Sequence, residues 1–393
     1  SRDFSGAVTL MTRRRKLLIV VLLVATALAT FWLRRDSNIA AEGLPSRLSD
    51  KSFWHLVTDL SEHGGYFRSD NLISNEREFQ HVIPELTRRV PSAGVYIGVG
   101  PDQNFTYVVA LRPRIAFIVD IRRQNMLLHL LYKAIIEASA DRADFLARLF
   151  SRQRPAAATR DASAQQLFEA YALVAPTDQQ YRRNLHDVIE RLQHKHKFAL
   201  TPDDVHGIEY VYSAFYTAGP DLRYSFPRGF GGRWFPSYAE LMTETDAAGQ
   251  HRSYLASEAQ FQALKEYERD NLLVPIVGDF GGDKALRGVG EYLREHGASV
   301  TAFYTSNVEQ YLFQSDGWKR FFENVASMPV DARGTFIRSF FNRGYGFQRG
   351  FPDARSATLI DSIPGLLADV KAGRIQSYYD VIEHSTAPTD AVR

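Results

Sequence analysis

The feature that most limits what this chain can fold into is the run Ile115–Ile121, IAFIVDI, apolar throughout except for Asp120. Such a run suits a strand buried on both faces of a parallel sheet, because both alternating sets of side chains then meet covering helices. A second short apolar strand, Val95–Val99, precedes it. Between them Gly98-Val99-Gly100-Pro101 turns the chain, and Asn104–Leu111 reads as a helix that stops before Pro113. After them Met126–Ala138 reads as a helix with Leu127, Leu130, Leu131, Ala134 and Ile135 on one side. A β-α-β-α order begins a doubly wound sheet.

Residues 150–270 break this rhythm. Ala164–Ala172 and Asp178–His196 have helical patterns, Pro202, Gly207 and an aromatic stretch from Tyr210 to Tyr216 follow, and 219–238 is rich in Gly, Pro and aromatics. The segment reads as a mainly helical insertion ending in an irregular loop. The α/β alternation then resumes with Leu273–Phe280 as a strand, Lys284–His296 as a helix, Val300–Tyr304 as a strand, Val308–Phe313 opening a helix and Thr335–Phe340 as a further strand. The expected fold class is α/β with a mostly parallel, doubly wound sheet. Residues 51–149 form its first half, 150–270 the insertion, and 271–393 the second half and C-terminal tail.

Upstream, Leu17–Leu33 is almost wholly apolar, follows Arg13, Arg14, Arg15 and Lys16, and precedes Arg34 and Arg35. This pattern predicts one transmembrane helix over 17–33, with a basic cytoplasmic stretch at 1–16 and a linker at 34–50. The charge bias places the remaining domain on the periplasmic or outer side. Ala27-Leu28-Ala29 keeps a cleaved signal, and so a secreted product, as an alternative; a domain on the cytoplasmic face is the third. The 47 Lys and Arg against 45 Asp and Glu leave a net charge of +2, which gives no basic field for nucleic acid. The chain has no cysteine, which removes disulfides and thiol chemistry. His194 and His196 point apart on a helix, His129 reads as a core or edge residue, and there is no H-E-x-x-H, so no metal site is expected.

Ligands of open parallel sheets bind beyond the carboxyl ends of the strands. There, Gly98 and Gly100 remove Cβ atoms so that a ligand can approach the backbone, and Asp120 ends the second strand where a carboxylate can accept from a ribose. A dinucleotide loop requires a third small residue, where this chain has Gln103, and Asp102 beside it would repel a pyrophosphate. A nicotinamide cofactor is therefore the weaker expectation. S-adenosylmethionine, with an amino-acid head and a ribose but no phosphate, matches better. The segment Ser69–Glu76 is expected over the ligand as a lid, with Asn71, Asn75 and Glu76 as polar contacts. Arg122 stands at the same sheet edge as a contact to ribose or an acidic substrate, or else as an ion-pair partner of Asp120. The segment 227–236, PRGFGGRWFP, either closes the pocket or packs as an irregular loop.

YIGVGPDQNFTY and AFIVDIRRQN, with SDNLISNE upstream and VGDFGG and FYTSNVEQYL downstream, resemble a family of uncharacterised bacterial proteins described as class I methyltransferase-like. The resemblance spans roughly residues 52–345. It implies a Rossmann-like methyltransferase fold and S-adenosylmethionine as cofactor. It puts Gly98 and Gly100 in the glycine positions, Asp120 with neighbouring Ile121 at the ribose, Asp279 near the adenine amine and Asn307 facing the transferred methyl. Glu309, Asp279 and Glu76 are then the candidate bases. The chain departs from that family in two places: Tyr96 and Ile97 stand where an acidic residue commonly opens the first motif, and Tyr304-Thr305-Ser306-Asn307 replaces an Asn-Pro-Pro-Tyr motif. Those departures leave open a non-catalytic, membrane-anchored binding or scaffold module on the same fold.

Overall fold

The computed structural model describes residues 43–224, 235–341 and 356–387. The expected membrane segment 17–33, the basic stretch 1–16, most of the linker and loop 227–236 except its last two residues lie outside them. Among the described residues no helix is long and apolar enough to cross a membrane.

Six strands form one sheet: β1 (Val95–Gly98), β2 (Ile115–Asp120), β3 (Leu273–Val277), β4 (Val300–Ser306), β5 (Val330–Phe341) and β6 (Ser356–Ser362), in the spatial order β3-β2-β1-β4-β5-β6. All neighbours run parallel except β6, which is antiparallel to β5. Every residue of β1, β2 and β3 is buried, as two-sided coverage by helices requires. The register pairs Gly98 with Ile118 and Asp120 with Val277, so the carboxyl ends of β1, β2 and β3 lie along one sheet edge. Pro275 sits within β3, and β3 is an edge strand, where a residue without an N–H is tolerated. That open edge is covered by residues just after the first helix: Ser61 Oγ accepts from the Val277 N–H at 3.0 Å and the Glu62 N–H donates to Val277 O at 2.8 Å.

The helices before and within the first half are α1 (Asp50–Leu60), α2 (Ile83–Arg89), α3 (Gln103–Leu111) and α4 (Arg123–Ala138). The insertion holds α5 (Arg142–Leu149), α6 (Ala164–Ala172), α7 (Asp178–Glu190), a π-turn at Arg191–Lys195, α8 (Pro202–Ala218), α9 (Tyr238–Thr243) and α10 (Glu258–Arg269). The second half adds α11 (Ala285–Glu295), α12 (Val308–Gln314), α13 (Trp318–Ser327), α14 (Ile363–Lys371) and α15 (Tyr378–His384).

Two expectations need correction. The end of the linker at 34–50 is not free chain: Leu44 and Leu48 are buried, and Asn271 Nδ2 donates to Leu48 O at 3.0 Å. Pro202 and Gly207 belong to one helix. Pro202 opens α8 at its first position, where its missing N–H and fixed φ fit, and Thr201 and Asp204 form a capping box. Gly207 lies where α8 approaches α4; a Cβ there would come within 2.5 Å of Leu127 Cδ1. Finally, the strand expected over Thr335–Phe340 is longer, and it carries Arg338 fully buried in its centre.

Arg338 is satisfied by a bidentate pair with Glu309 (Nε–Oε2 2.6 Å, Nη2–Oε1 3.1 Å) and by Asp361 of β6 (Nη1–Oδ2 3.0 Å). Its guanidinium also lies over the Phe336 ring, 4.4 Å from the centroid. Removing one partner of such a buried group leaves uncompensated charge. Arg338→Met is therefore expected to destabilise the protein by about 3–5 kcal/mol, seen as a lower urea midpoint at unchanged slope. An unchanged midpoint would show that the cluster contributes nothing to the fold.

Candidate ligand-binding site

The turn from β1 into α3 is held by the Asn104 side chain. Asn104 Nδ2 donates to the carbonyls of Val99 (2.9 Å) and Pro101 (2.7 Å), with Gly100 O at 3.3 Å, and Oδ1 accepts from the Tyr96 hydroxyl at 2.8 Å. The Gly100 carbonyl also takes the Nε2–H of His129 at 2.9 Å. A carbonyl only accepts, so this contact assigns the ring proton to Nε2. Burial pushes His129 down to about 4, which keeps the ring neutral.

The two glycines therefore have different jobs. A Cβ on Gly98 would lie 1.9 Å from Asn104 Oδ1 and 2.8 Å from Tyr96 Cε1, so Gly98 makes room for the protein's own bracing side chains. Its expected role in ligand approach is corrected: Gly98 does not border the cleft. Gly100 does. It has φ +79°, and a Cβ there would meet nothing nearer than Gln103 Nε2 at 3.7 Å.

Above this turn lies a cavity of about 400 Å³, within the range of small-molecule sites. It opens at the carboxyl ends of β1–β4, where the strand order reverses between β1 and β4. Its lining brings together Gly100, Asp120, Ile121, Arg122, Asp279 and Asn307, with Asn71, Asn75 and Glu76 from the segment before the sheet. Tyr66, Phe67, Tyr224 and Tyr311 add an aromatic wall that the sequence reading missed.

Asp120 and Arg122 form a buried ion pair. Arg122 Nε and backbone N–H both donate to Asp120 Oδ1 at 2.9 Å, and Nη2 donates to Oδ2 at 2.7 Å. Arg122 Nη1 continues to the carbonyl oxygens of Ser69 and Asp70, tying the strand end to the preceding segment. With Leu72 and Ile73 buried, that segment forms a pinned wall of the cleft. Asn71, at φ +47°, and Ser306, at φ +52°, are strained positions that both border the site.

Glu76 is 2% exposed. Its Oε1 accepts from the Tyr304 hydroxyl at 2.6 Å and from Ser306 Oγ, and Gln103 Nε2 donates to Tyr304 Oη at 2.8 Å. Burial raises the carboxyl above the ordinary range, only partly offset by these hydroxyls. Asp279 accepts from the Gly281 N–H at 2.9 Å, and Asn307 Nδ2 reaches Gln310 Oε1 at 3.4 Å. Glu309 is corrected as a candidate base: both its oxygens bind Arg338, and it does not border the cleft. Asp102 likewise does not face a ligand. It is buried beneath the turn, accepts from Tyr254 Oη at 3.0 Å, and burial lifts it to about 7.

A family model described as a domain of unknown function (DUF7790) matches residues 71–362, from the cleft wall at Asn71 to the end of β6. No curated protein matches the chain.

Two predictions follow from the turn. Gly98→Ala is expected to lose about 3 kcal/mol by overpacking, and Gly100→Ala about 1 kcal/mol from its left-handed backbone, both read from urea midpoints; equal losses would contradict the division of roles. For Asp102, the folded value of about 7 lies above the ordinary 3.8. The stability it contributes is complete below the unfolded value and is lost as pH rises through the folded one. Asp102→Asn escapes that loss. Its stability relative to the parent is expected to climb between pH 4 and 7, by up to about 4 kcal/mol, and then level off. A flat difference across that range would rule out a buried, protonated Asp102.

Proposed function

The chain belongs to the DUF7790 family, whose description assigns no activity, and from that premise we propose that the cleft binds S-adenosylmethionine and that the protein is a methyltransferase-like, S-adenosylmethionine-dependent protein. One observation carries the reading. The cavity at the switch point is bordered by the flexible-backbone Gly100 and by three carboxylates, Glu76, Asp120 and Asp279, while Arg122, its one lining cation among the described residues, is already bound to Asp120. A site of that charge disfavours a pyrophosphate and favours a cationic ligand without phosphate. S-adenosylmethionine carries a sulfonium and an ammonium.

In this reading the nucleoside lies toward the ends of β2 and β3, by Asp120, Ile121 and Asp279, and the amino-acid end toward Gly100. Asn307, ending the turn after β4, borders the place of the transferred methyl. The chemistry asked of the protein is chiefly positioning of an acceptor in line with that methyl. Glu76 and Asp279 are the carboxylates that border the cleft and can receive a proton from a protic acceptor.

A second reading, a binding module without turnover, is favoured by the commitment of Asp120 to Arg122. Calorimetry of the full chain with S-adenosylhomocysteine tests the shared premise. Saturable binding below millimolar ligand is expected, weakened about ten- to a hundredfold by Asp120→Asn. Absence of binding at millimolar ligand would end both nucleoside readings. Binding without any consumption of S-adenosylmethionine in cell extract would leave the module.

A further inference from the structure

One end of the cleft offers acceptors with no donor to meet them. Glu76 and Gln103 both border the cavity; Gln103 Oε1 is buried with no hydrogen-bond partner among the described residues, and the Glu76 carboxyl is met only by the neutral hydroxyls of Tyr304, Ser306 and Ser339. The identity of the Gln103 oxygen as an acceptor follows from the network. The Tyr304 hydroxyl has one hydrogen, and at 2.6 Å it goes to Glu76 Oε1. Tyr304 Oη can then only accept from Gln103, so the atom facing it at 2.8 Å is Nε2, and Oε1 is left over. Glu76 and Gln103 thus converge on one hydroxyl. Asn71 contributes another buried oxygen without a partner on the same cavity.

No cationic side chain neutralises this carboxylate among the described residues. Arg77, next in the chain, pairs instead with Glu240 and Glu244. Arg338 is spent on Glu309 and Asp361, and Arg122 on Asp120. A buried carboxylate that lacks an internal cation and borders a cavity is costly in the empty protein. The ligand group that satisfies it is donor-only and positive, which among common groups is a protonated amine with its three hydrogens.

We propose that Glu76 and the Gln103 side-chain carbonyl form an ammonium subsite, and that the cleft therefore selects ligands bearing a protonated amine. This rests on the cleft being the ligand site, but not on the ligand being a nucleoside. An ammonium against Glu76 also removes the burial penalty that raises its carboxyl in the empty protein. The subsite is supplied by the segment that precedes the sheet together with the first residue of α3, not by the glycine turn alone.

The test titrates the full chain and its Glu76→Gln variant with three probes. S-adenosylhomocysteine carries the amine and the nucleoside, 5′-deoxy-5′-methylthioadenosine carries the nucleoside without the amine, and L-methionine carries the amine alone. The parent is expected to bind S-adenosylhomocysteine at least about tenfold more tightly than methylthioadenosine. Glu76→Gln is expected to erase that preference while binding methylthioadenosine as before. The amide still accepts from Tyr304 and Ser306, so its melting temperature should stay level or rise, which separates a lost subsite from a damaged fold. Failure of both S-adenosylhomocysteine and methylthioadenosine to bind the parent at millimolar concentration removes the nucleoside reading; L-methionine binding that is weakened in Glu76→Gln then still supports the subsite. The inference is overturned if no amine-bearing probe distinguishes parent from variant, or if the parent binds methylthioadenosine as tightly as S-adenosylhomocysteine.

Discussion

The shape of the cleft depends on one amide. Asn104 is fully buried on the first turn of α3, and its Nδ2 hydrogens are shared among three successive carbonyls of the turn that precedes it. That arrangement folds the chain back sharply after β1 and leaves no space for a side chain at position 98. It also explains Tyr96, whose hydroxyl satisfies the Asn104 oxygen at 2.8 Å. An acidic residue at 96 could not donate there when ionised. The Gly100 carbonyl is held by His129 as well. With that carbonyl pinned by two donors, Gly100 is fixed where it borders the cavity.

The alternation of strand and helix was legible because apolar runs and amphipathic periods are local. β1 to β4 and the helices between them fall close to the expected positions. What escaped was non-local. β6 is seven residues, SATLIDS, with too little periodicity to stand out, and it becomes a strand because β5 offers it a ladder from Thr335 to Phe341. Arg338 in an apolar strand reads as an interruption until Glu309, from α12, and Asp361, from β6, are folded against it. The same pairing takes Glu309 out of the cleft, which no spacing within Asn307–Glu309 could have revealed.

For the site, residue types were legible and their orientations were not. Asp120, Asp279, Asn307, Asn71, Asn75 and Glu76 do meet on one cavity: the first three end or follow strands, and Arg122, Tyr304 and Ser306 tie the segment carrying the other three to those strand ends. Asp102, one residue before α3, turns under the helix toward Tyr254 and so has no bearing on what the cleft repels. The case against a phosphate-bearing ligand survives for a different reason, the balance of charge on the cavity wall. Gly98 and Gly100 look equivalent in sequence, yet only Gly100 borders the cavity.

The ion pair at the end of β2 restricts how a sugar could be held. A carboxylate offers about four lone-pair sites. Asp120 Oδ1 already accepts two hydrogen bonds from Arg122, and Oδ2 accepts one. A single hydroxyl can therefore bind at Oδ2 while Arg122 stays in place, but a grip on both ribose hydroxyls through the two oxygens would require Arg122 to leave. Arg122 also holds the carbonyls of Ser69 and Asp70, so its departure would loosen the wall that carries Asn71 and Glu76. The two ends of the cleft are coupled through that guanidinium: a ligand that took all of Asp120 would weaken the wall on which its amine depends. The arrangement favours a ligand that accepts one contact at the sugar and draws the rest of its binding from the backbone at Gly100, the aromatic wall and the buried carboxyl at Glu76.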